Sequence, residues 1–335
     1  MSQKPDFTTD FSGPYPQRRL IPKRPGPQTA REPSTGGDTT VNEHDQPAPS
    51  GATAARSHLW YEETTVVPDA FRKLLVEYSH IQPQEVDEHV VRVRNRAWEV
   101  HPYPCLGQFR FLELNLSHRP GPLYPRLLSL LTSTPTPSPA PVFLDIGTCL
   151  GQDVRALIAA GAHPSTVAGA ELSETFIKLG YELFRDDPQT VRMVQADVLE
   201  PLEEGNNALA GWRGKLRVVQ LGMILHLFSW EEGVRVFENA IALLRNEKGV
   251  LIIGQATGNV DGMETRTLSS GGKDRVTWKH NVESFERLVR DVEAKTGTKW
   301  EIKATLDEGL SVHDGKRTWD NPKTRRLLFE VERVE

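Results

Sequence analysis

The stretch Val142-Phe-Leu-Asp-Ile-Gly-Thr-Cys-Leu-Gly151 combines an apolar run, an acid and two glycines that lie four residues apart. Because its apolar residues do not alternate with polar ones, the run is typical of a strand that is covered on both faces. The glycines allow positive φ angles and a close approach of the backbone to a ligand. The stretch therefore predicts a buried parallel strand that turns tightly into a helix beside a nucleotide-like ligand.

After this stretch the chain alternates between predicted strands and predicted helices. The strands are expected at 142–146, 167–171, 191–195, 216–220 and 249–254. The helices are expected near 151–160, 173–185, 230–245 and 281–296, and Ser173 can cap the second of them. Two final β-like segments, 300–304 and 326–331, leave no room for a helix of normal length between them, so they should pair antiparallel. The order predicts an α/β protein with a doubly wound, mostly parallel sheet and a terminal antiparallel β-hairpin.

The remaining stretches differ in composition and predict separate regions. Residues 1–56 are rich in Pro, Thr, Ser and Gly and poor in large apolar side chains, so they should form a disordered tail. Residues 57–131 have apolar residues at helical spacing and should form a helical region that covers the substrate. Residues 142–335 should form the ligand-binding domain. The polar stretch 256–277 is expected to be either a mobile lid or a plain surface loop.

Composition bounds the kind of protein. The 335 residues carry a formal net charge of −5, which argues against broad non-specific binding of nucleic acid. No apolar run approaches the roughly 18 residues of a membrane span, and the N-terminus lacks the apolar core of a signal peptide. The two cysteines, Cys105 and Cys149, cannot build a disulfide framework or a zinc site alone. We expect a cytoplasmic monomer or homodimer that acts on a small molecule, with no metal and no membrane or nucleic-acid partner.

Three acids follow the first three predicted strands. Asp145, Glu171 and Asp197 are spaced 26 residues apart, about one strand–helix unit. Ligands of doubly wound sheets bind outside the carboxyl ends of the strands. A carboxylate at the second strand end suits a ribose diol, because it accepts two hydrogen bonds, and an acid after the third strand can accept from an adenine amine. Two roles fit Asp145: organising the glycine loop, or reaching an amino group through a water molecule.

A nicotinamide dinucleotide is the natural competing ligand. Its fingerprint is G-x-G-x-x-G at the start of the helix. Here Gly147 and Gly151 lie four residues apart, and the next glycine is Gly161. An acid also ends the first strand, where that fingerprint does not need one. The spacing therefore disfavours an NAD-dependent oxidoreductase, and the absence of a Walker A motif disfavours a phosphate-transfer ATPase.

These residues resemble a known family. Residues 142 to about 305 are similar to class I S-adenosylmethionine-dependent methyltransferases in Asp145-x-Gly147-x-Cys149-x-Gly151, in Glu171 and in Ala196-Asp197-Val198. Longer strings, Pro102–Gly107, Cys149–Asp153, Gly169–Leu172, Phe176–Phe184 and His226-Leu-Phe228, resemble fungal secondary-metabolite methyltransferases, which include enzymes that methylate carboxyl groups of meroterpenoid intermediates. Many class I enzymes have Gly where Cys149 stands, and a side chain there narrows the space beside the methionine part of the ligand.

The resemblance implies a class I methyltransferase fold and S-adenosylmethionine as the cofactor. It also implies the residues that bind this cofactor: Asp145, Gly147, Gly151, Glu171, Leu172, Ala196, Asp197, Val198 and Gln220. His226, which follows the fourth strand, is the candidate catalytic residue, as a base or as a hydrogen-bond donor to the acceptor. Further candidates for contact with the substrate are Trp60, His101, Tyr103, Trp230, Gln255 and His280.

The predicted function is O-methylation of a small natural-product intermediate in secondary metabolism. A carboxylate acceptor is preferred because it is already ionised near neutral pH and needs no general base, whereas a phenol or an alcohol would benefit from one. The alternatives are methylation of a phenol, a nitrogen or a carbon, or a catalytically silent protein that binds the cofactor and regulates a partner. The presence of Asp145, Glu171 and Asp197 disfavours a loss of cofactor binding, but it does not decide whether the protein turns over a substrate.

Overall fold

The structure is a computed structural model that describes residues 60–203, 205, 207–268 and 274–335. The tail predicted at 1–56 lies outside the described residues. The strands are β1 (Phe143–Ile146), β2 (Val167–Glu171), β3 (Met193–Gln195), β4 (Val218–Gly222), β5 (Leu251–Asn259), β6 (Met263–Leu268), β7 (Asp274–Lys279), β8 (Trp300–Asp307) and β9 (Thr324–Arg333). The helices are α1 (Asp69–Glu77), α2 (Val86–Val100), α3 (Pro104–Gly107), α4 (Leu123–Ser133), α5 (Gln152–Ala159), α6 (Glu174–Phe184), α7 (Trp230–Leu243) and α8 (Val282–Thr296).

A seven-stranded mixed sheet organises the molecule, in the order β3-β2-β1-β4-β5-β9-β8. The first five strands of this order are parallel, and β9 pairs antiparallel with both β5 and β8. The predicted α/β class, the doubly wound sheet and the terminal hairpin are confirmed. The chain reverses its direction of travel across the sheet between β1 and β4, and ligands of such sheets bind at this switch point.

Local sequence explains where the helices of the sheet region begin. The Ser173 hydroxyl accepts from the Phe176 amide at 3.3 Å, which starts α6 where the sequence predicts. Ser229 and Asn281 cap α7 and α8. In each case the side chain of the cap accepts from the amide of the third helical residue, and the side chain of that residue accepts from the amide of the cap. A cap satisfies backbone N–H groups that would otherwise lack partners, so these starts are defined by single residues.

Several strands differ from their predicted bounds, and the fourth and fifth show why. The fourth strand begins at Val218 and ends at Gly222, two residues later than predicted at each end, because Leu216 instead forms an isolated bridge with Leu244. The fifth strand extends to Asn259, since it pairs along its whole length with the long strand β9. Apolar content alone could not reveal this extension, because Thr257 and Asn259 are polar residues that are buried.

The polar stretch 256–277 is not a plain loop, and this prediction is corrected. Its first residues belong to β5, and most of the rest forms the antiparallel hairpin of β6 and β7. The Thr265 and Thr277 hydroxyls lie 2.8 Å apart across the hairpin. The Trp278 amide donates to the Phe228 carbonyl at 2.8 Å. The hairpin is thereby fixed to the loop that follows β4, where His226 lies.

The predicted helical content of 57–131 is confirmed for the described residues by α1 to α4. Helices α1 and α2 share an apolar cluster with α6, in which Phe71, Val90 and Val93 meet Phe176 and Phe184. Helix α6 begins three residues after the end of β2. The N-terminal helices are therefore attached to the element that directly follows one of the predicted ligand acids. Within the described ranges, no helix is long and apolar enough to cross a membrane.

Candidate active site

The loop between β1 and α5 has three residues with left-handed backbone: Gly147 (φ 71°), Cys149 (φ 54°) and Gly151 (φ 72°). A Cβ atom on Gly147 would lie 2.3 Å from the Ile224 Cγ2 atom, so no side chain fits there. The amides of Gly147 and Thr148 both donate to the Ala170 carbonyl, at 2.8 and 3.1 Å, which ties the loop to β2. The loop thus exposes backbone to a ligand between two strand ends.

Cys149 occupies a conformation that costs an L residue about 1–2 kcal/mol. Its amide donates to the Glu171 carboxylate at 2.9 Å, a charged hydrogen bond that offsets this cost. Burial raises the pKa of the Cys149 thiol, so the side chain stays a neutral thiol at physiological pH. The cysteine therefore acts as a packing residue of the loop.

Gly147→Ala should destabilise the protein and weaken binding of S-adenosylmethionine, the methyl donor that the resemblance implies. The left-handed φ costs about 1–2 kcal/mol by itself, and the contact with Ile224 adds to this. Urea unfolding and donor titration check the result. The double variant G147A/I224A removes the clashing atom and should regain part of the loss, while the backbone strain remains. Full stability in G147A would show that the loop tolerates a side chain.

The structure brings the three predicted acids to neighbouring strand ends. Glu171 accepts from the Cys149 amide through Oε2 and from the Ser173 amide through Oε1, at 2.9 and 3.1 Å. The Ala196 amide donates to the Glu171 carbonyl, which holds the end of β3 beside the end of β2. Asp197 accepts from the Leu199 amide at 2.8 Å. Each Glu171 oxygen keeps a lone pair, so this carboxylate can still accept from a ribose diol.

Asp145 is buried, at 3% exposure, and has one satisfied oxygen. The Thr148 hydroxyl donates to Oδ2 at 2.7 Å, whereas Oδ1 has no partner among the described residues. Burial raises the pKa of Asp145 to about 8, and the nearby charge of Asp153 adds to the effect. An unpartnered buried acceptor of this kind fits the amino group of a ligand.

The other predicted cofactor residues lie around these acids. Leu172, which follows Glu171, is half exposed, and Val198 beside Asp197 is buried. Gln220 is the neighbour of Asp145 in the β1–β4 register, but its amide donates to Asp153 at 3.2 Å. The sequence did not single out Asp153, although an acid in the first turn after a glycine loop was a usable signal.

His226 lies in a short 3-10 helix, Leu225–Leu227, directly after β4. Its Nδ1 atom accepts from the Thr257 amide of β5 at 3.3 Å, so the neutral ring carries its proton on Nε2. Burial, together with the smaller effect of the positive charges of Lys279 and Arg317, lowers the pKa of His226 to about 3. The ring is therefore neutral at physiological pH and presents a donor.

Three charged side chains face His226 from two other parts of the chain. Lys279 ends β7, while Arg317 and Asp320 belong to the segment 308–323 between β8 and β9. The Lys279 Nζ atom lies 3.4 Å from one Asp320 oxygen, and Arg317 pairs with the other. Arg317 is buried, and its Nε atom has no partner in the part of the chain that the structure describes. The sequence did not predict these residues, because they follow no strand end of the parallel sheet.

The aromatic candidates from the N-terminal region pack against other aromatic rings. The Trp60 ring lies 5.1 Å from the Trp319 ring, and its indole N–H donates to the Pro102 carbonyl. The His101 and Tyr103 rings lie 4.1 Å apart. Burial raises the pKa of Tyr103, and the charge of Glu171 acts in the same direction. Tyr103 thus lies near Glu171.

Trp230 and His280 differ from this group, because their polar atoms are engaged elsewhere. The Trp230 indole N–H donates to Asp291 at 3.0 Å, and the His280 ring contacts the Ser284 hydroxyl at 3.2 Å. The two rings pack against each other and against Trp278. The indole N–H of Trp230 and the Nδ1 atom of His280 are therefore already engaged by other side chains. Gln255 lies at the end of the β4–β5 pairing, and its side chain is partly exposed.

Comparison with known proteins agrees with this geometry. Residues 60–112 match the family described as "Meroterpenoid methyltransferase N-terminal domain". The O-methyltransferase atr3 of Stereocaulon alpinum is 38% identical over 280 residues, covering 82% of this chain and 76% of that protein. The O-methyltransferase phiE of Fungal sp. (strain ATCC 74256) is 36% identical over 294 residues, covering 82% and 92%.

Among solved structures, the plantazolicin methyltransferase BamL, crystallised with S-adenosylhomocysteine, is 14% identical to this chain, with a TM-score of 0.43. The match covers 75% of this chain and 99% of the BamL chain. The sheet order and the relatives define a class I S-adenosylmethionine-dependent methyltransferase. The chain belongs to the fungal secondary-metabolite methyltransferase family.

Proposed function

We propose that the methyl acceptor is a carboxylate of a small natural-product intermediate and that the product is a methyl ester. The observation that carries the proposal is the state of His226. Its Nδ1 accepts from the Thr257 amide, and the pKa of its ring is lowered to about 3. A general base works best when its pKa lies near the working pH, so this ring is poorly suited to deprotonate a phenol or an alcohol. A carboxylate arrives ionised and needs only alignment and hydrogen-bond donors.

The charges around His226 favour an anionic acceptor. Lys279 and Arg317 together carry two positive charges, and Asp320 supplies one negative charge, so the group has a net charge of about +1 when all three are ionised. The unpartnered Nε–H of Arg317 is a further buried donor. A carboxylate that binds here compensates the excess charge and accepts from donors that otherwise lack partners. The His226 Nε2–H is placed to orient one of its oxygens.

On the donor side, the proposal uses the residues at the strand ends. Glu171 accepts from the ribose hydroxyls, Asp197 accepts from the adenine amine, and Asp145 faces the amino group of the methionine part. Gly147, Gly151, Leu172, Ala196 and Val198 provide backbone and apolar contacts, and Gln220 supports Asp145 from β4. When bound, S-adenosylmethionine supplies an electrophilic methyl group together with its own leaving group. Tyr103 and Trp60 cover the reacting centre, which keeps water out and keeps the carboxylate nucleophilic.

The stability of the transferred methyl group in alkali tests the proposal. The purified protein is incubated with methyl-labelled donor and with matched acceptors that carry either a carboxylic acid or a phenol on the same aromatic or terpenoid skeleton. A methyl ester releases labelled methanol in alkali, whereas methyl ethers and methyl groups on nitrogen or carbon do not. We expect alkali-labile product from the acids. Alkali-stable product, or equal rates for acid and phenol, would contradict the proposal.

His226→Ala should lower kcat by about 100-fold, the lower end of the range for removing one hydrogen-bond donor to a reacting oxygen. The dissociation constant of the donor should change by less than about twofold, because His226 lies on the acceptor side. Asn is the matched variant, since its side-chain oxygen can still accept from the Thr257 amide while the distal donor is lost. Steady-state kinetics and donor titration check the result. Undiminished turnover in both variants would remove His226 from the mechanism.

A further inference from the structure

Two buried carboxyl groups lie side by side beneath the glycine loop. Asp145 belongs to β1 and Asp153 to the first turn of α5, and their exposures are 3% and 7%. Each has one oxygen with a partner: Thr148 donates to Asp145 at 2.7 Å, and Gln220 donates to Asp153 at 3.2 Å. The Oδ1 atom of each acid is buried without a partner among the residues that the structure describes. Such atoms are expensive to leave unsatisfied, so they indicate a missing proton or ligand.

Gln220 joins the two acids. It is the residue of β4 that lies in register with Asp145 of β1, and neighbours in register project to the same face of the sheet. A Cβ atom on Gly222 would lie 3.4 Å from the Gln220 Nε2 atom and 3.6 Å from the Asp145 Oδ1 atom. The Gln220 amide thus donates to Asp153 and borders Gly222 together with the Asp145 Oδ1 atom. Gln220 is 5% exposed, so the trio is closed to bulk water.

The charged and titratable groups around the pair are mostly acids. Glu171 at the end of β2 and Asp153 both raise the pKa of Asp145, in addition to burial, which is the largest cause. Burial and then the charge of Asp153 raise the pKa of Tyr124 of α4, while His118 opposes the larger effect of burial on the pKa of Asp153. Burial raises the pKa of Asp145 to about 8 and that of Asp153 to about 6. Because Asp145 is protonated below pH 8 and Asp153 is ionised above pH 6, the pair holds one proton near pH 7 when no ligand is bound.

We propose that Asp145, Gln220 and Asp153 form a proton-coupled receptor for the α-ammonium group of the methyl donor, so that binding of the donor releases one proton to solvent. The inference rests on the donor site proposed above, in which Asp145 faces this ammonium group. The O–H bond of Asp145 breaks, its proton passes to the buffer, and the resulting carboxylate pairs with the ammonium. Asp153 and Gln220 act as positioning residues, since Gln220 donates to Asp153 and the charge of Asp153 acts on Asp145.

The sign of the pH dependence follows from this scheme. Below pH 8 the free site must lose a proton before it can pair with the cation, so the affinity for the donor rises with pH. One proton released per ligand corresponds to a tenfold gain in affinity per pH unit, and we expect about this gain between about pH 6 and 7. The demethylated product, S-adenosylhomocysteine, keeps the α-ammonium and should release the same proton. A ligand without the amino-acid part, 5′-methylthioadenosine, should release none.

Calorimetric titration of the full chain tests the inference. The apparent binding enthalpy at pH 7 is measured in buffers of different ionisation enthalpy, and the slope gives the number of protons released. We expect about one proton for the donor and for S-adenosylhomocysteine, and none for either ligand with Asp145→Asn. Asp153→Asn should lower the midpoint of the pH dependence by about one unit and reduce the release at pH 7 to about half a proton. Glu293→Gln, which alters a buried acid elsewhere, should match the unchanged protein.

The outcomes separate this inference from the proposed donor site. Release of less than about 0.2 proton by a protein that binds the donor, and whose affinity falls in D145N, would overturn the proton coupling alone. A pH profile that D153N leaves unchanged would overturn the role of the pair. Equal release by 5′-methylthioadenosine would overturn the assignment to the ammonium group. Unchanged donor affinity in D145N would overturn the donor site at Asp145 and the coupling with it.

Discussion

Replacing Arg155 with alanine should lower the free energy of unfolding by about 3–5 kcal/mol, because it leaves a buried acid without its counter-charge. The Arg155 side chain is fully buried and binds both oxygens of Asp186, each at 2.9 Å. The Tyr78 hydroxyl of the N-terminal region donates to the same carboxylate at 2.8 Å. Arg155 also donates to the carbonyls of Leu150 and Gly151, at 3.3 and 3.4 Å, and so supports the glycine loop from below. The variant should therefore lose donor affinity as well as stability.

Arg96 provides the matched control. It pairs with Glu182 of α6, but its side chain is 54% exposed. Exposed ion pairs contribute about 0–1 kcal/mol, so R96A should unfold close to the unchanged protein. The double variant R155M/D186N removes both charges and should be more stable than R155M alone. Urea unfolding measures the four variants and the unchanged protein. A loss below about 1 kcal/mol in R155A would show that Asp186 finds another partner or takes up a proton.

Glu171→Ala should weaken binding of S-adenosylmethionine by about 100-fold, which corresponds to about 3 kcal/mol. The carboxylate has two tasks: it holds the amides of Cys149 and Ser173, and it is proposed to accept from the ribose hydroxyls. Glutamine cannot replace it fully, because the amide has one acceptor oxygen whereas the two backbone donors use different carboxylate oxygens. E171Q should therefore fall between the alanine variant and the unchanged protein.

Glu174→Ala is the control for this prediction. Glu174 is an exposed acid at the start of α6, the helix that follows Glu171, and it pairs with Lys178. Its loss should leave donor affinity unchanged, since exposed pairs contribute little. Calorimetry gives the dissociation constants, and the unfolding midpoint shows whether each variant is folded. If folded E171A binds the donor within about threefold of the unchanged protein, Glu171 does not serve the ribose.

The parallel part of the fold could be predicted because its signals are local. Uninterrupted apolar runs mark buried strands, and a single side chain such as Ser173 fixes a helix start. Because the carboxyl ends of parallel strands meet at one edge, Asp145, Glu171 and Asp197 could be assigned to one rim from spacing alone. The glycine loop was equally readable, since the positive φ angles of Gly147 and Gly151 favour glycine at these two positions.

The proposed acceptor side could not be predicted, because it depends on contacts between distant parts of the chain. The hairpin of β6 and β7 is polar, and its attachment through the Trp278 amide involves a backbone group that no sequence pattern displays. Lys279 meets Asp320 only through the fold of two connecting segments. Gln220 was expected to serve the cofactor directly, whereas its amide is committed to Asp153.

The apolar cluster shared by α1, α2 and α6 has a consequence for how such enzymes can diversify. Helix α6 begins three residues after Glu171, so we expect a change in the packing of Phe71 or Val90 to affect the proposed donor site. Interiors are close-packed and tolerate little change in volume. The hairpin of β6 and β7 and the segment 308–323 do not belong to this cluster. New acceptor preferences are therefore expected to accumulate in these two segments, while the N-terminal helices change slowly under the same selection that preserves donor binding.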